Sequence, residues 1–289
     1  MDEKQAQLEW EARAGRLAAY AAWAAAALII ASLLYRVAAL PHGADNVKQF
    51  LPDVKAHKSA FLVSGILTGV AMLAFIPPLL YLYKATRFRR RELPPVARIL
   101  IFAGPILFAI CSVWFQFRQA HAADQFLSGA VKTNKHAEDV LRSATTAVAG
   151  LSLAASIATG LATILVSLNA MRAGLLSRFM GVLGVILGAL FVLPLIASPI
   201  IQLFWLLALG VLFVDKWPGG RGPAWATGEA VPWPSPQGRR APASRSEDDE
   251  DDAEGELEPA PDLEQEPEGE AQRPNPNTSR KRKKRKARR

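Results

Sequence analysis

Histidine and carboxylate side chains recur together in two polar stretches of this 289-residue chain. These residue types can bind a divalent metal ion or respond to pH. His121 and Asp124 are three residues apart, so on a helix they would share a face. Because the chain has no HExxH motif and only one cysteine, solvated loop residues are the favoured interpretation, and metal binding or pH sensing is the alternative. The candidate ligands are His42, His57, His121, Asp124, His136 and Asp139.

Arginine and lysine are concentrated at 87–91 and at 280–289, where they could contact phosphate groups. A basic run at 280–289 follows an acidic block at 247–270, which has fourteen acids and no base. Clustered cations bind anionic lipid with about 1 kcal/mol per side chain near the surface, and RNA competes through its phosphates. We expect the acidic block to weaken this binding by attracting the basic run. The expected contacts are Arg87, Arg89, Arg90, Arg91, Arg280, Lys281, Arg282, Lys283, Lys284, Arg285 and Lys286.

Long apolar runs separate these polar segments. A helix that crosses the ~30 Å hydrocarbon layer needs about 20 apolar residues, and four runs meet this length. The uncharged stretch from Phe179 to Val214 fits two shorter helices, with Pro194 and Pro199 between them. A re-entrant pair that reaches only midway is the alternative for these two. The sequence thus predicts an all-α fold, a six-helix transmembrane bundle with spans at about 17–35, 60–83, 99–117, 143–171, 179–196 and 199–214.

Positive charge beside these runs predicts their orientation. Basic residues cluster before the first run, after the second and after the fourth, whereas the two histidine-bearing stretches also carry acids. By the positive-inside rule, we expect both termini to be cytoplasmic and the protein to lie in the cell membrane. Arg36, near the outer end of the first span, is expected to anchor that span at the headgroups. No ionisable residue falls at mid-span, which argues against a proton-coupled pump or a voltage sensor.

Composition changes abruptly at residue 216. The formal net charge of +8 belongs to residues 1–215, because residues 216–289 carry fifteen bases and fifteen acids. This tail is rich in proline and poor in aliphatic residues, so it cannot bury enough surface to fold. We therefore expect a cytoplasmic N-terminal segment at 1–16, a membrane domain at 17–215 and a disordered cytoplasmic tail at 216–289.

Glycines four residues apart predict close contacts between helices. Gly65 and Gly69 form one such pair, and Gly184 and Gly188 form another. Membrane helices associate where small residues let their backbones approach, because lipid offers no hydrophobic driving force between helices. Packing within the chain is the favoured interpretation, and a dimer interface is the alternative.

The stretches LLSRFMGVLGVILGALFVLPL (175–195) and FWLLALGVLFVDKWP (204–218) resemble uncharacterised multi-pass membrane proteins of actinobacteria. These proteins include a domain-of-unknown-function family of roughly this length. The resemblance covers mainly the last two predicted spans and implies a bacterial plasma-membrane location. It implies no activity, cofactor or site residue.

The sequence favours a non-enzymatic membrane protein, a scaffold or regulator whose basic segments engage lipid or other polyanions. No nucleophile–base arrangement or cofactor motif is present, so we expect neither an enzyme nor a bound cofactor. The bilayer is the expected partner of the helices, and anionic lipid or RNA that of the basic terminus. A carrier for a small neutral or amphiphilic solute is the alternative, because a site for such a solute needs no charge.

Overall fold

A computed structural model of the chain describes residues 3–40, 43–193, 199–218 and 220–233. Within these ranges every regular element is a helix, and the helices are joined by short turns. The helices in chain order are α1 (Glu3–Ala39), α2 (Val47–Ala56), α3 (Lys58–Leu73), α4 (Ile76–Arg89), α5 (Val96–Ser128), α6 (Asn134–Arg172), α7 (Arg178–Val192), α8 (Pro199–Phe213) and α9 (Pro223–Thr227).

Four helical stretches are long and apolar enough to cross a bilayer. They are α1, α3 and α4 taken together, α5, and α6, and they contain the first four predicted spans. Helices α7 and α8 are apolar but have only 15 residues each. At 1.5 Å per residue such a helix is about 22 Å long, against a hydrocarbon layer of ~30 Å. The structure therefore agrees with four of the six predicted spans, and the last two helices fall short of an ordinary span.

The second predicted span is broken where α3 ends and α4 begins. Pro77 and Pro78 cannot donate a backbone hydrogen bond, and their rings clash with carbonyls four residues earlier. They are tolerated in the first turn of a new helix, which is where the break places them. Phe75, which is fully buried, lies at the break. The span thus bends at a position that its prolines determine.

The paired glycines lie where helices touch. A Cβ atom added at Gly188 of α7 would be 2.6 Å from the carbonyl oxygen of Gly160 in α6. A Cβ atom added at Gly65 of α3 would be 2.8 Å from the carbonyl oxygen of Ser112 in α5. Both distances are too short for a side chain, so these glycines permit backbone-to-backbone packing within the chain.

Gly188→Ala is expected to destabilise the protein by about 1–3 kcal/mol, because the added methyl group meets the backbone of α6. Gly150→Ala is the matched control in α6, since a Cβ atom there would meet nothing within 4 Å. It is expected to be neutral or to stabilise by about 0.5–1 kcal/mol. Thermal unfolding of the two purified variants in the same detergent measures the difference. Equal unfolding temperatures would contradict the proposed α6–α7 contact.

One end of the bundle has its own small apolar cluster. Helix α5 continues to Ser128 and helix α6 starts at Asn134, so most of residues 118–142, which separate the third and fourth predicted spans, is helical. Helix α2 packs against them through Leu51 and Val54. We call this the histidine end, because it carries His57, His121 and His136. The opposite end, with the amino-terminal part of α1 and the last turn of α4, is called the basic end.

Candidate functional site

A buried ion pair joins α1 to α4 at the basic end. The guanidinium of Arg89 contacts both carboxylate oxygens of Glu11, with Nη1 2.5 Å from Oε1 and Nη2 2.9 Å from Oε2. The Arg89 side chain is 0% exposed and that of Glu11 is 3% exposed. This bidentate pairing gives both carboxylate oxygens a hydrogen-bond donor, and a buried charge is stable only when it is paired and hydrogen-bonded in this way.

The chain beyond α8 folds over this ion pair. Arg89 Nε donates to the carbonyl of Ala224 at 2.9 Å, and the guanidinium lies 5.6 Å from the Trp225 ring centroid. Arg221 lies 5.0 Å from the same ring, and Tyr81 stacks on it at 5.8 Å. The Trp225 indole N–H donates to the carbonyl of Leu175 at 2.9 Å. We call residues 220–233 the cap, because they close the basic end of the bundle.

Two further contacts hold the cap. Gly174 has a φ of 76°, and a Cβ atom there would overlap the carbonyl of Val231, so only glycine suits both its conformation and its contact. Lys4 Nζ lies 2.7 Å from Oε1 of Glu229. The hydrogen bond from Lys4, and then its charge, lower the pKa of the Glu229 carboxyl.

The cap differs from the sequence-based prediction, which assigned residues 216–233 to the disordered tail. This segment is rich in proline and glycine and shows no helical or strand periodicity, so its sequence is typical of a linker. Its tryptophans and arginine instead find partners on the bundle, and Trp225 is only 6% exposed. The rest of the predicted tail, including the blocks at 247–270 and 280–289, lies outside the described residues.

A basic groove lies at the same end of the bundle, between α1, α4 and the start of α5. It has a volume of about 700 Å³. Lys84 is 5.2 Å from the Trp10 ring centroid, and Arg87 donates to the Tyr83 hydroxyl at 2.8 Å. Aromatic side chains thus contact two of the four cations that line the groove, which are Lys84, Arg87, Arg91 and Arg98. The groove is lined by Glu3, Gln7, Trp10, Tyr83, Lys84, Arg87, Phe88, Arg91, Pro95 and Arg98.

An apolar cleft adjoins this basic groove and shares two lining residues with it, Trp10 and Lys84. The cleft has a volume of about 320 Å³ and follows α1 and α4 toward their apolar segments. Its other lining residues are Ala14, Leu17, Ala18, Ala21, Pro77, Leu80 and Tyr81. A polar groove that opens onto an apolar cleft suits a ligand with a charged head and a hydrocarbon chain.

The predicted polyanion contacts of the internal loop have different surroundings. Arg87 and Arg91 line the basic groove. The prediction that Arg89 contacts a polyanion is corrected by the structure, because Arg89 is buried and paired with Glu11 and so cannot reach an external ligand. Arg90 pairs with Glu92, and this hydrogen bond, and then the charge of Arg90, lower the pKa of the Glu92 carboxyl. The predicted contacts Arg280, Lys281, Arg282, Lys283, Lys284, Arg285 and Lys286 lie outside the described residues.

The predicted metal ligands that the structure describes do not form one cluster. Asp124 is held by Lys58 at 2.6 Å and Lys55 at 3.4 Å, so its carboxylate already has cationic partners. His57 Nδ1 lies 3.1 Å from the carbonyl oxygen of Asp53. The His136 ring lies 6.1 Å from that of Phe126. Across the described ranges, no three His, Cys, Asp or Glu side chains are grouped to hold a metal ion. His121 and Asp139 are exposed, and His42 is outside the described residues.

Lys84, Arg98 and Trp10 are not predicted from the sequence to line one groove, although the structure brings them together there. A usable pattern existed in α1, where positions 3, 7, 10, 14, 17 and 21 recur at helical spacing and line the groove and cleft. Lys84 and Arg87 of α4 are three residues apart, and Arg91, just beyond the end of that helix, follows four residues later. The pattern was hidden because α1 begins at Glu3, well before the apolar run at residue 17.

No protein-family model, curated protein or solved structure matches this chain.

Proposed function

We propose that the chain is a six-span protein of the cell membrane that binds anionic lipid in its basic groove and acts as a scaffold or regulator. In this proposal both termini are cytoplasmic, so the basic end faces the cytoplasm. The resemblance to actinobacterial membrane proteins and the basic residues beside the helices support this placement. The proposal includes no catalysis and no cofactor.

The observation that carries the proposal is the continuity between groove and cleft at Trp10 and Lys84. A phospholipid headgroup would lie among Lys84, Arg87, Arg91 and Arg98, and one acyl chain would lie along the cleft. Lysine and arginine near the membrane surface each contribute about 1 kcal/mol to the attraction of anionic lipid. Tryptophan suits the headgroup level, because its ring has an apolar body and a polar N–H.

The apolar cleft favours lipid over RNA. RNA would use the cations of the groove through its phosphates but would leave the cleft unoccupied. A phospholipid would occupy both, because its charged headgroup suits the basic groove and its acyl chain suits the adjoining apolar cleft. The basic terminus at 280–289 would add a second attraction to the same anionic leaflet.

Arg91→Gln with Arg98→Gln is expected to weaken binding of phosphatidylglycerol roughly 30-fold, from about 1 kcal/mol lost per cation. Both side chains are exposed in the groove. The measurement uses the purified full-length chain in neutral detergent and follows the rise in Tm with added phosphatidylglycerol, because a ligand that binds the folded state raises Tm. Phosphatidylcholine, which carries no net charge, is expected to have little effect.

Arg13→Gln with Arg16→Gln is the matched control. Both residues are exposed on α1 near the basic end, and neither lines the groove. This control removes the same charge and should retain most of the response to phosphatidylglycerol. If both double variants lose it equally, the attraction depends on net charge and the groove is not the site. If single-stranded RNA stabilises the wild-type chain as much as phosphatidylglycerol and depends equally on Arg91 and Arg98, RNA is the partner.

Transport of an amphiphilic solute is the second candidate function. The observation that favours it is a cavity between α1, α3, α5, α7 and α8, beside the break in the second span. Helices interrupted by proline near the bilayer midplane recur at substrate sites of transporters. Vesicle uptake assays with the reconstituted chain would test transport directly.

A further inference from the structure

A second cavity lies away from the basic groove. It has a volume of about 310 Å³, within the range of small-molecule sites. Its walls are mainly apolar, and it lies toward the end of the bundle where α7 stops at Val192 and α8 starts at Pro199. The apolar walls are formed by Ile29, Leu33, Ala71, Met72, Phe108, Leu187, Leu190, Phe191 and Pro199.

Two hydroxyl groups form one polar edge of this cavity. Ser32 Oγ and Thr68 Oγ1 are 3.0 Å apart, and Thr68 donates to the carbonyl of Ser64 at 2.9 Å. Since Thr68 has a single hydroxyl hydrogen, Ser32 is the donor within the pair. The pair thus joins α1 to α3 and has lone pairs left to accept a hydrogen bond.

Gln202 supplies the second polar group. It is the one polar residue of α8, whose sequence is otherwise apolar from Pro199 to Phe213. Its carboxamide lines the cavity and has no hydrogen-bond partner among the described residues. Gln202 is half-buried, so its carboxamide is available to hydrogen-bond the polar group of a ligand that enters the cavity.

Arg36 lies at the rim of the same cavity. Its side chain is exposed, and it pairs with no carboxylate within the described ranges. The sequence predicts that Arg36 anchors its span at the headgroups, and in the structure Arg36 also lines this cavity. A cation beside an apolar cavity complements an anion attached to a hydrocarbon chain.

We infer that this cavity binds a single-chain anionic amphiphile, with its alkyl chain among the apolar walls and its head at Arg36 and Gln202. The guanidinium pairs with the anion, and the Gln202 carboxamide donates a hydrogen bond to it. This site is separate from the basic groove and does not require that the ligand be transported.

The test uses the full-length chain in nanodiscs of phosphatidylcholine, with decanoate as the probe. Decanoate is expected to raise Tm more than decanol, and decyltrimethylammonium is expected to have no specific effect. Arg36→Gln should weaken decanoate binding about fivefold, the contribution of one cation near a surface. Gln202→Leu should weaken it as well, because the carboxamide donor is gone.

Two controls separate this site from others. Arg142→Gln removes an exposed arginine of α6 that does not line the cavity, and it should retain the wild-type response. Arg91→Gln with Arg98→Gln should also retain it, because those residues belong to the basic groove. Equal responses to decanoate and decyltrimethylammonium would overturn the inference. So would a decanoate response that is unchanged by Arg36→Gln, or one that is lost in the groove variant.

Discussion

Arg89→Met is expected to lower the free energy of unfolding by about 3–5 kcal/mol, because it leaves the Glu11 carboxylate buried without its partner. Thermal unfolding in detergent measures the loss. The size of the effect comes from burial, since an exposed ion pair contributes only about 0–1 kcal/mol. Arg90→Met supplies that comparison, because its partner Glu92 is 77% exposed.

The double variant Glu11→Leu with Arg89→Met is expected to recover most of this loss. Replacing both charges with apolar groups removes the unpaired carboxylate, and such replacements are often neutral. Recovery should be incomplete, because the carbonyls of Ala85 and Ala224 also lose Arg89 as a donor. If the double variant is as unstable as Arg89→Met, the lost contacts to the cap, and not the charge on Glu11, cause the instability.

Trp225→Ala is expected to cost about 3–5 kcal/mol and to release the cap. The indole ring is buried between Tyr81, Arg89 and Arg221, and its N–H bonds to Leu175. Truncation removes these contacts together and leaves a space that the rigid helix ends cannot fill. Thermal unfolding reports the stability loss, and limited trypsin digestion reports cleavage after Arg221.

Trp225→Phe separates the ring from its hydrogen bond. It keeps an aromatic surface against Tyr81 and the two arginines, so the cap should stay resistant to trypsin. The lost indole donor leaves the Leu175 carbonyl without this partner, at a cost of about 1–3 kcal/mol. Equal cleavage after Arg221 in the wild-type chain and in Trp225→Ala would show that the cap does not protect this position.

Hydropathy, which depends only on the residues within one stretch of chain, accounts for much of the part of the fold that could be predicted. Six apolar stretches are predicted as spans, and the first four lie within α1, α3 with α4, α5 and α6, which are long enough to cross a bilayer. The break at Pro77 and Pro78 and the close contacts at Gly65 and Gly188 follow from proline and glycine chemistry. Hydropathy did not predict the full helix lengths, because α1, α5 and α6 continue well beyond their apolar runs into polar sequence.

Charge gave a less complete prediction, because a sequence shows which ions exist but not which ones meet. Four adjacent cationic positions at 87–91 looked equivalent, yet Arg89 is buried against Glu11, 78 residues away, while Arg91 faces the groove. Likewise Asp124 looked available for a metal ion and is paired with Lys55 and Lys58. Such pairings depend on how helices align, which residue spacing does not encode.

The sequence by itself determined the helical class, the apolar stretches and the location of the cationic clusters. Each of these follows from the residue types within one or two helical turns. The tertiary structure decided that residues 220–233 close the basic end, that Glu11 neutralises Arg89, and that Trp10 joins Lys84 at a groove. The reason is that burial and ion pairing are properties of residues brought together from distant parts of the chain, and these energies exceed the weak local preferences of a Pro- and Gly-rich segment.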